Sequence, residues 1–442
     1  MSVKDRVDPY SVTPLLRKHL IGDGYDIVFD LEKSHGAWVC DARDGTEYLD
    51  FYTFFASLPL GFNHPVFQQE EILERLVRAA LHKPANSDAH TPELASFTEA
   101  FSRHALADGF RHLFFIEGGA LAVENALKAA FDWKARLNEA AGRSESPGDK
   151  ILHFREAFHG RSGYTLSLTN TAPEKTDLFP KFDWPRVSNP KLRFPVDDEE
   201  FARVGSAEEE CLTEIEQAFA RHPHDIAAII IEPIQGEGGD NHFRGKFLRD
   251  LRRIADERQA LLIFDEVQTG FGLTGKMWAY EHYGVPPDIL CFGKKSQVCG
   301  IMAGERLDEV QDNVFHVSSR INSTWGGGLV DMARCEIILE VMEEERLVEN
   351  AEAVGAHLQS GLEDFAARHP GVIGNPRGLG LMCAFDCPDG ETRNRLLELC
   401  AANRFLAIAC GSVSVRFRPP LILSVEEAEE GLLRLERSAR QL

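Results

Sequence analysis

Two lysines, Lys294 and Lys295, stand at the end of an apolar run, DILCFGK at 288–294. A lysine pair is ordinarily solvated, but at the end of a buried strand a lysine loses its charge readily and becomes an imine-forming nucleophile. Another run, ALLIFDE at 260–266, ends in Asp265 and Glu266, with Gln268 just beyond. A carboxylate leaving a buried strand is costly unless it is paired. Asp265 is therefore either a cap on the next turn or the partner of a protonated ring nitrogen, the usual way a protein sharpens pyridoxal phosphate as an electron sink.

Two further stretches carry chemistry. The run HLFFIE at 112–117 passes into Gly118-Gly119-Ala120 and then a helical pattern, ALAVENALKAAFDWK. Glycines at such a strand-to-helix turn let backbone N–H groups approach a phosphate at the helix N-terminus, although a Gly-Gly turn can equally be only a turn. In Phe154-Arg155-Glu156-Ala157-Phe158-His159-Gly160-Arg161, an aromatic, a histidine and an arginine crowd a glycine. Phe158 can lie on a flat cofactor and Arg161 can grip a carboxylate with two parallel hydrogen bonds. Taken singly, each suits core or surface as well.

The elements that must position these residues are legible in outline. The three runs above and IAAIIIEPI at 226–234 are continuous rather than alternating, which suits strands buried on both faces of a parallel sheet. Between the last two in the chain before Asp265, Phe247, Leu248, Leu251, Ile254 and Ala255 recur at helical spacing, so the segment reads as a βαβ crossover. After Gly328 long charged amphipathic helices are expected, followed by a smaller α+β region with short strands near 379–386 and 413–418. The 370–380 segment, with its prolines and glycines, reads as a turn region. In open α/β sheets ligands sit at the carboxyl ends of the strands, where the candidate residues fall.

Composition narrows the function further. A formal charge of −22 over 442 residues, without a long basic run, disfavours nucleic acid or an anionic membrane as partner. The opening MSVKDRVDPYSV lacks an apolar leader and no apolar run approaches the ~18 residues of a membrane span, so a cytoplasmic protein is expected. Nine scattered cysteines read as buried thiols in a reducing compartment, and no metal is expected.

In this order, the Gly-Gly-Ala turn, Phe-His-Gly-Arg, Ile-Phe-Asp-Glu-Val-Gln-Thr-Gly and Phe-Gly-Lys, the chain resembles the class III (ω-amino acid) aminotransferases. The likeness extends from YLDFYTFFASLPLGFNHP at 48–65 through NPRGLGLM at 375–382 to VRFRPPL at 415–421. It implies a fold type I α/β architecture: a mostly parallel seven-stranded sheet in a large cofactor-binding domain (66–330), a small α+β C-terminal domain (331–442), and an N-terminal segment (1–65) packing with the latter.

The resemblance also implies roles. Lys294 becomes the Schiff-base lysine and proton shuttle, since the first of the two lysines matches the family's single one. Asp265 pairs with the pyridine nitrogen, Gln268 reaches the ring hydroxyl, Phe158 stacks on the ring beside His159, and Gly119 and Ala120 offer N–H groups to the phosphate. Thr324 reaches that phosphate from a second subunit, which makes a homodimer. Substrate falls to Arg161, Gln268, Glu237, Arg416, Phe55 and Asn322, with Glu237 pairing Arg416 in one half-reaction and swinging aside in the other, its glycine neighbours giving the loop room. GGALA, GFGLTG and GKKSQVCG depart from the commoner family patterns. With HGRSGYTLSLTNT and NSTWGGG they point to L-lysine as amino donor and 2-oxoglutarate as acceptor, giving L-glutamate. Ornithine or 4-aminobutyrate as donor is the alternative, since one methylene changes binding by only ~1–3 kcal/mol. A decarboxylase or racemase of the same fold, and an inert cofactor-binding protein, are the more distant rivals.

Overall fold

The computed structural model describes residues 7–22 and 24–442, so MSVKDR and Asp23, part of the 1–65 segment, lie outside the described residues. Its centre is a seven-stranded sheet. In chain order the strands are β1 (Phe110–Ile116), β2 (Lys150–Phe154), β3 (Arg186–Val187), β4 (Ile226–Ile231), β5 (Leu261–Asp265), β6 (Ile289–Phe292) and β7 (Cys299–Gly304). They lie side by side as β1-β7-β6-β5-β4-β2-β3. All neighbours are parallel except those of β7, which runs antiparallel to both β6 and β1.

Three of the four continuous apolar runs, β4, β5 and β6, have the cause expected of them, whereas β1 lies at the sheet edge and is only half-buried over most of its length. Successive side chains of β4 point to opposite faces and both faces are covered. Ala228 and Ile230 pack with Val123, Leu127 and Trp133 of the helix Gly119–Ala140. Ile229 and Ile231 pack on the other side with Phe247, Leu248, Leu251 and Ile254 of the helix Gly245–Glu257. Each of those four side chains is at most 1% exposed, and burying one stabilises the fold by roughly 1.5–3 kcal/mol. Leu251→Ala would cost about 2–5 kcal/mol, because the cavity adds to the lost transfer energy.

Two long helices, Leu329–Glu344 and Leu347–Arg368, follow the sheet and lead to a four-stranded antiparallel sheet. Its strands in chain order are Gly374–Leu379, Met382–Asp386, Ile408–Cys410 and Ser414–Phe417. The 370–380 segment is thus not a turn: most of it is a strand paired with Met382–Asp386. The register shifts between Gly374 and Arg377, so the strand absorbs the proline that suggested a break. Near the N-terminus Trp38–Cys40 and Glu47–Asp50 form a ribbon, and the latter pairs in parallel with Phe405–Leu406. All nine cysteines are buried free thiols. Among the described residues no helix is long and apolar enough to cross a membrane.

Candidate active site

Because β1, β2, β4, β5 and β6 point the same way, their carboxyl ends share one edge of the sheet. There the chain encloses a cavity of about 580 Å³ lined by Gly119, Ala120, Phe158, His159, Arg161, Glu237, Asp265, Gln268 and Lys294. Residues as far apart in sequence as Ser57 and Cys299 meet there.

At the floor, the Asp265 carboxylate is 5% exposed and lies 2.8 Å from Nδ1 of the buried His159. Its other oxygen accepts the Val267 N–H at 3.1 Å. His159 Nε2 has no partner among the described residues. Lys294 projects from a tight turn straight after β6, with its own φ at +55°, a left-handed conformation that a side chain adopts only when its surroundings impose it. Burial holds the Lys294 amine below the ordinary lysine range, with Asp265 opposing and the charges of Arg416 and Arg418 assisting. Lys295 points away and donates from Nζ to the Gln268 carbonyl at 3.0 Å, buried at 2% exposure. Adjacent lysines therefore do different things: one opens on the cavity and one ties two loops together.

Gln268 is oriented by two arginines. Its side-chain oxygen accepts from Arg416 Nη1 at 3.1 Å and from Arg418 Nε and Nη2 at 3.1 and 2.9 Å. With the oxygen so engaged, its amide N–H group is left to donate elsewhere. Arg416 also donates to Glu237 Oε2 at 2.5 Å, and Lys175 Nζ lies 2.5 Å from Glu237 Oε1. Although burial opposes it, the neighbouring Arg416 and Lys175 keep the Glu237 carboxyl below its usual range.

The Glu237 loop is not roomy. A Cβ on Gly236 would come within 2.3 Å of Gln268 Oε1, and one on Gly238 within 2.0 Å of the Glu156 carbonyl oxygen. The glycines serve close packing here, and a side chain at either position would clash.

Four expected residues do not line this cavity in the single chain: Arg416 is buried behind Glu237 and Gln268, and three others are surface residues. Phe55 is 48% exposed, in a turn, Thr53–Ala56, whose four residues all have positive φ. Asn322 and Thr324 are exposed, and Asn322 Oδ1 accepts only the neighbouring Ser323 N–H, at 2.8 Å. Sequence reasoning missed Lys175 and Glu232. Glu232 follows β4 as Asp265 ends β5, so the strand-end argument already pointed to it. It accepts the N–H groups of Phe158 and Gly236 at 2.9 and 3.0 Å, and burial pushes it up to about 7.

The cavity fits a flat phosphorylated pyridine. Gly118, at φ +90°, opens a 22-residue helix whose first N–H groups face the cavity without intrahelical acceptors. Gly160 approaches Ala120 so closely that a Cβ there would lie 2.5 Å from the alanine's. A buried carboxylate, an anion cradle and an amine lining one cavity match such a cofactor's polar groups.

The sequence profile of the class III aminotransferases matches residues 21–438. The chain is a class III aminotransferase. Members of the family use pyridoxal 5′-phosphate, and the cavity's donors suit it. This class III chain is 51% identical over 425 residues to the L-lysine-epsilon aminotransferase of Mycobacterium tuberculosis strain H37Rv, covering 96% of itself and 94% of that protein. With the L-lysine-epsilon aminotransferase of Streptomyces clavuligerus the identity is 48%, over 96% and 93% of the two chains. A solved lysine aminotransferase from M. tuberculosis, in its internal aldimine form, superposes with a TM-score of 0.95 at 50% identity, covering 98% of this chain and 99% of that one.

Proposed function

We propose that this aminotransferase moves the ε-amino group of L-lysine to 2-oxoglutarate, giving 2-aminoadipate 6-semialdehyde, which cyclises, and L-glutamate. The observation that carries the reading is the masking of Arg416 by Glu237 at 2.5 Å, while Arg161 opens on the same cavity. An ω-amine arrives at its reacting end without a carboxylate, and a keto acid arrives with one. A site with one arginine covered and another open suits both in turn, and the names of the relatives agree.

Bound pyridoxal phosphate supplies the electron sink for the carbon that gives up or gains nitrogen. Lys294 Nζ, whose charged form burial disfavours, would tether the cofactor and then move the proton at the reacting carbon. Asp265, which lies 2.8 Å from His159 Nδ1, would keep the ring nitrogen protonated. The Gln268 amide would donate to the ring hydroxyl, Phe158 would cover the ring, and Gly119 and Ala120 would hold the phosphate at their N–H groups. Arg161 takes the α-carboxylate of lysine, and later the distal carboxylate of 2-oxoglutarate. Thr324, Asn322 and Phe55, all surface groups of one chain, complete the site across a homodimer. We divide the chain into a large domain at 66–330, a small one at 331–442, and an N-terminal segment at 1–65 that joins the small one through the Glu47–Asp50 and Phe405–Leu406 pairing.

The test is glutamate formation from L-lysine and 2-oxoglutarate, run beside a panel of ω-amines. Faster turnover of ornithine or 4-aminobutyrate would replace lysine as donor. Lys294→Ala is expected to lower turnover by at least about a thousandfold while the protein stays folded and keeps its cofactor noncovalently. Full activity in that variant would move the role to Lys295.

A further inference from the structure

The Glu237 carboxylate is held from two sides. Oε2 accepts from Arg416 and Oε1 from Lys175, each at 2.5 Å. The two cations differ in kind. Arg416 is a 1% exposed strand residue with its fork divided between Glu237 and Gln268. Lys175 ends a short turn, Pro173–Lys175, its side chain is 23% exposed, and its ammonium also reaches Thr171 Oγ1 at 3.3 Å and sits 5.6 Å from the centre of the Phe158 ring. It is a flexible point charge with donors to spare, in contact with two residues that line the cavity, Glu237 and Phe158.

We propose that Lys175 is the second seat of the Glu237 carboxylate, receiving it when the α-carboxylate of the acceptor displaces it from Arg416. This rests on the reading of the site as one that takes a ω-amine and a dicarboxylate in turn. The argument is one of charge. A carboxylate driven off a guanidinium in a partly buried site stays ionised only if another cation takes it. The loop gives Glu237 no alternative position, because Gly236 and Gly238 are packed against Gln268 and Glu156 and the Glu237 carbonyl is fixed by the Gly411 N–H at 2.9 Å. Rotation about the side chain toward Lys175, already in contact, frees Arg416 without stranding a charge. Without Lys175, Arg416 is the only cation bonded to Glu237 among the described residues, and the acceptor must compete with it fully.

Lys175→Met, which keeps length and removes charge, and Lys175→Arg, which keeps charge, test this in the holoenzyme. Glutarate serves as a dicarboxylate that binds without reacting, measured by calorimetry, beside the KM for 2-oxoglutarate and the single-turnover rate with lysine. In Lys175→Met the glutarate Kd and the 2-oxoglutarate KM should both rise about tenfold, the lysine half-reaction should stay within about twofold, and Lys175→Arg should restore most of the loss. Unchanged glutarate binding, or equal damage to both half-reactions, overturns the proposal. In a Glu237→Ala background Lys175→Met should add nothing, because no carboxylate then needs a seat. A further tenfold weakening there would mean that Lys175 binds substrate directly, which also overturns it. Failure of the wild-type enzyme to use lysine would sink the substrate reading alone, since the glutarate comparison needs no donor.

Discussion

Arg416 and Arg418 lie two residues apart at the end of one antiparallel strand, face the same way, and both donate to the side-chain oxygen of Gln268. Their carboxylates separate them. Arg418 bonds both oxygens of Asp240, at 2.9 and 2.5 Å, with neither side chain exposed at all. Arg416 bonds one oxygen of Glu237, whose side chain is 25% exposed and whose other oxygen is shared with Lys175. The first pair has no exit and no competitor, so it is scaffold, fixing the small sheet against the Gln268 turn. The second borders a cavity and has a rival cation in contact, so it can exchange. Burial of the carboxylate decides between the two uses.

The largest expected effect breaks the scaffold pair. Asp240→Asn keeps the shape and tolerates the left-handed φ of +50° at that position, but leaves the Arg418 charge buried and unpaired. A loss of about 3–5 kcal/mol is expected in denaturant unfolding of the holoenzyme. Glu237→Gln, the matched change in the exchangeable pair, should cost roughly 1 kcal/mol, because a cavity lies beside it. Equal losses would erase the distinction between the pairs.

Next in size is a kinetic effect. Glu237→Ala unmasks Arg416 permanently, so an α-carboxylate is welcome there at all times. The lysine half-reaction should slow about tenfold more than the glutamate half-reaction, and transfer of the α-amino group should rise as a side reaction. Single-turnover absorbance of the cofactor reads the first, and product analysis the second. If both halves slow equally with no change in which amine reacts, Glu237 is structural, like Asp240.

The contrast also explains what the sequence could tell. Strands β4, β5 and β6, buried on both faces, leave uninterrupted apolar runs that are visible in the sequence, as are the residues at their ends that meet in the cavity; β1 shows an apolar run too, although it is an edge strand covered only in part. CGIMAG of β7, with two glycines and no flanking signal, was silent. The Gly374–Leu379 strand was hidden because its proline falls where the register shifts. Lys175 had no local mark: its partner is 62 residues away and its turn resembles any other. The difference between Arg416 and Arg418 was equally hidden, since both stand in VRFRPP and only the depth of Glu237 and Asp240 distinguishes them. Local pattern reports burial along a strand, but not which of two charges the tertiary fold leaves beside an opening.

The smallest expected effect concerns the cation that is covered by neither carboxylate. Arg161 is exposed, lines the cavity and makes no hydrogen bond or ion pair with the described residues, unlike the two arginines across from it. An unpaired guanidinium is ready to take a carboxylate by two parallel hydrogen bonds, and lysine presents one at the end remote from its reacting amine, as 2-oxoglutarate does. Arg161→Lys keeps the charge but loses the fork, so attraction survives and orientation suffers. The KM for both substrates should rise, each by about tenfold, with little change in stability because the native side chain holds nothing in place. A rise confined to 2-oxoglutarate would assign Arg161 to the acceptor alone and leave the lysine α-carboxylate to another group. Unchanged KM values for both would return Arg161 to the surface and make Arg416 the sole carboxylate site in the cavity, with Glu237 then controlling every substrate that enters.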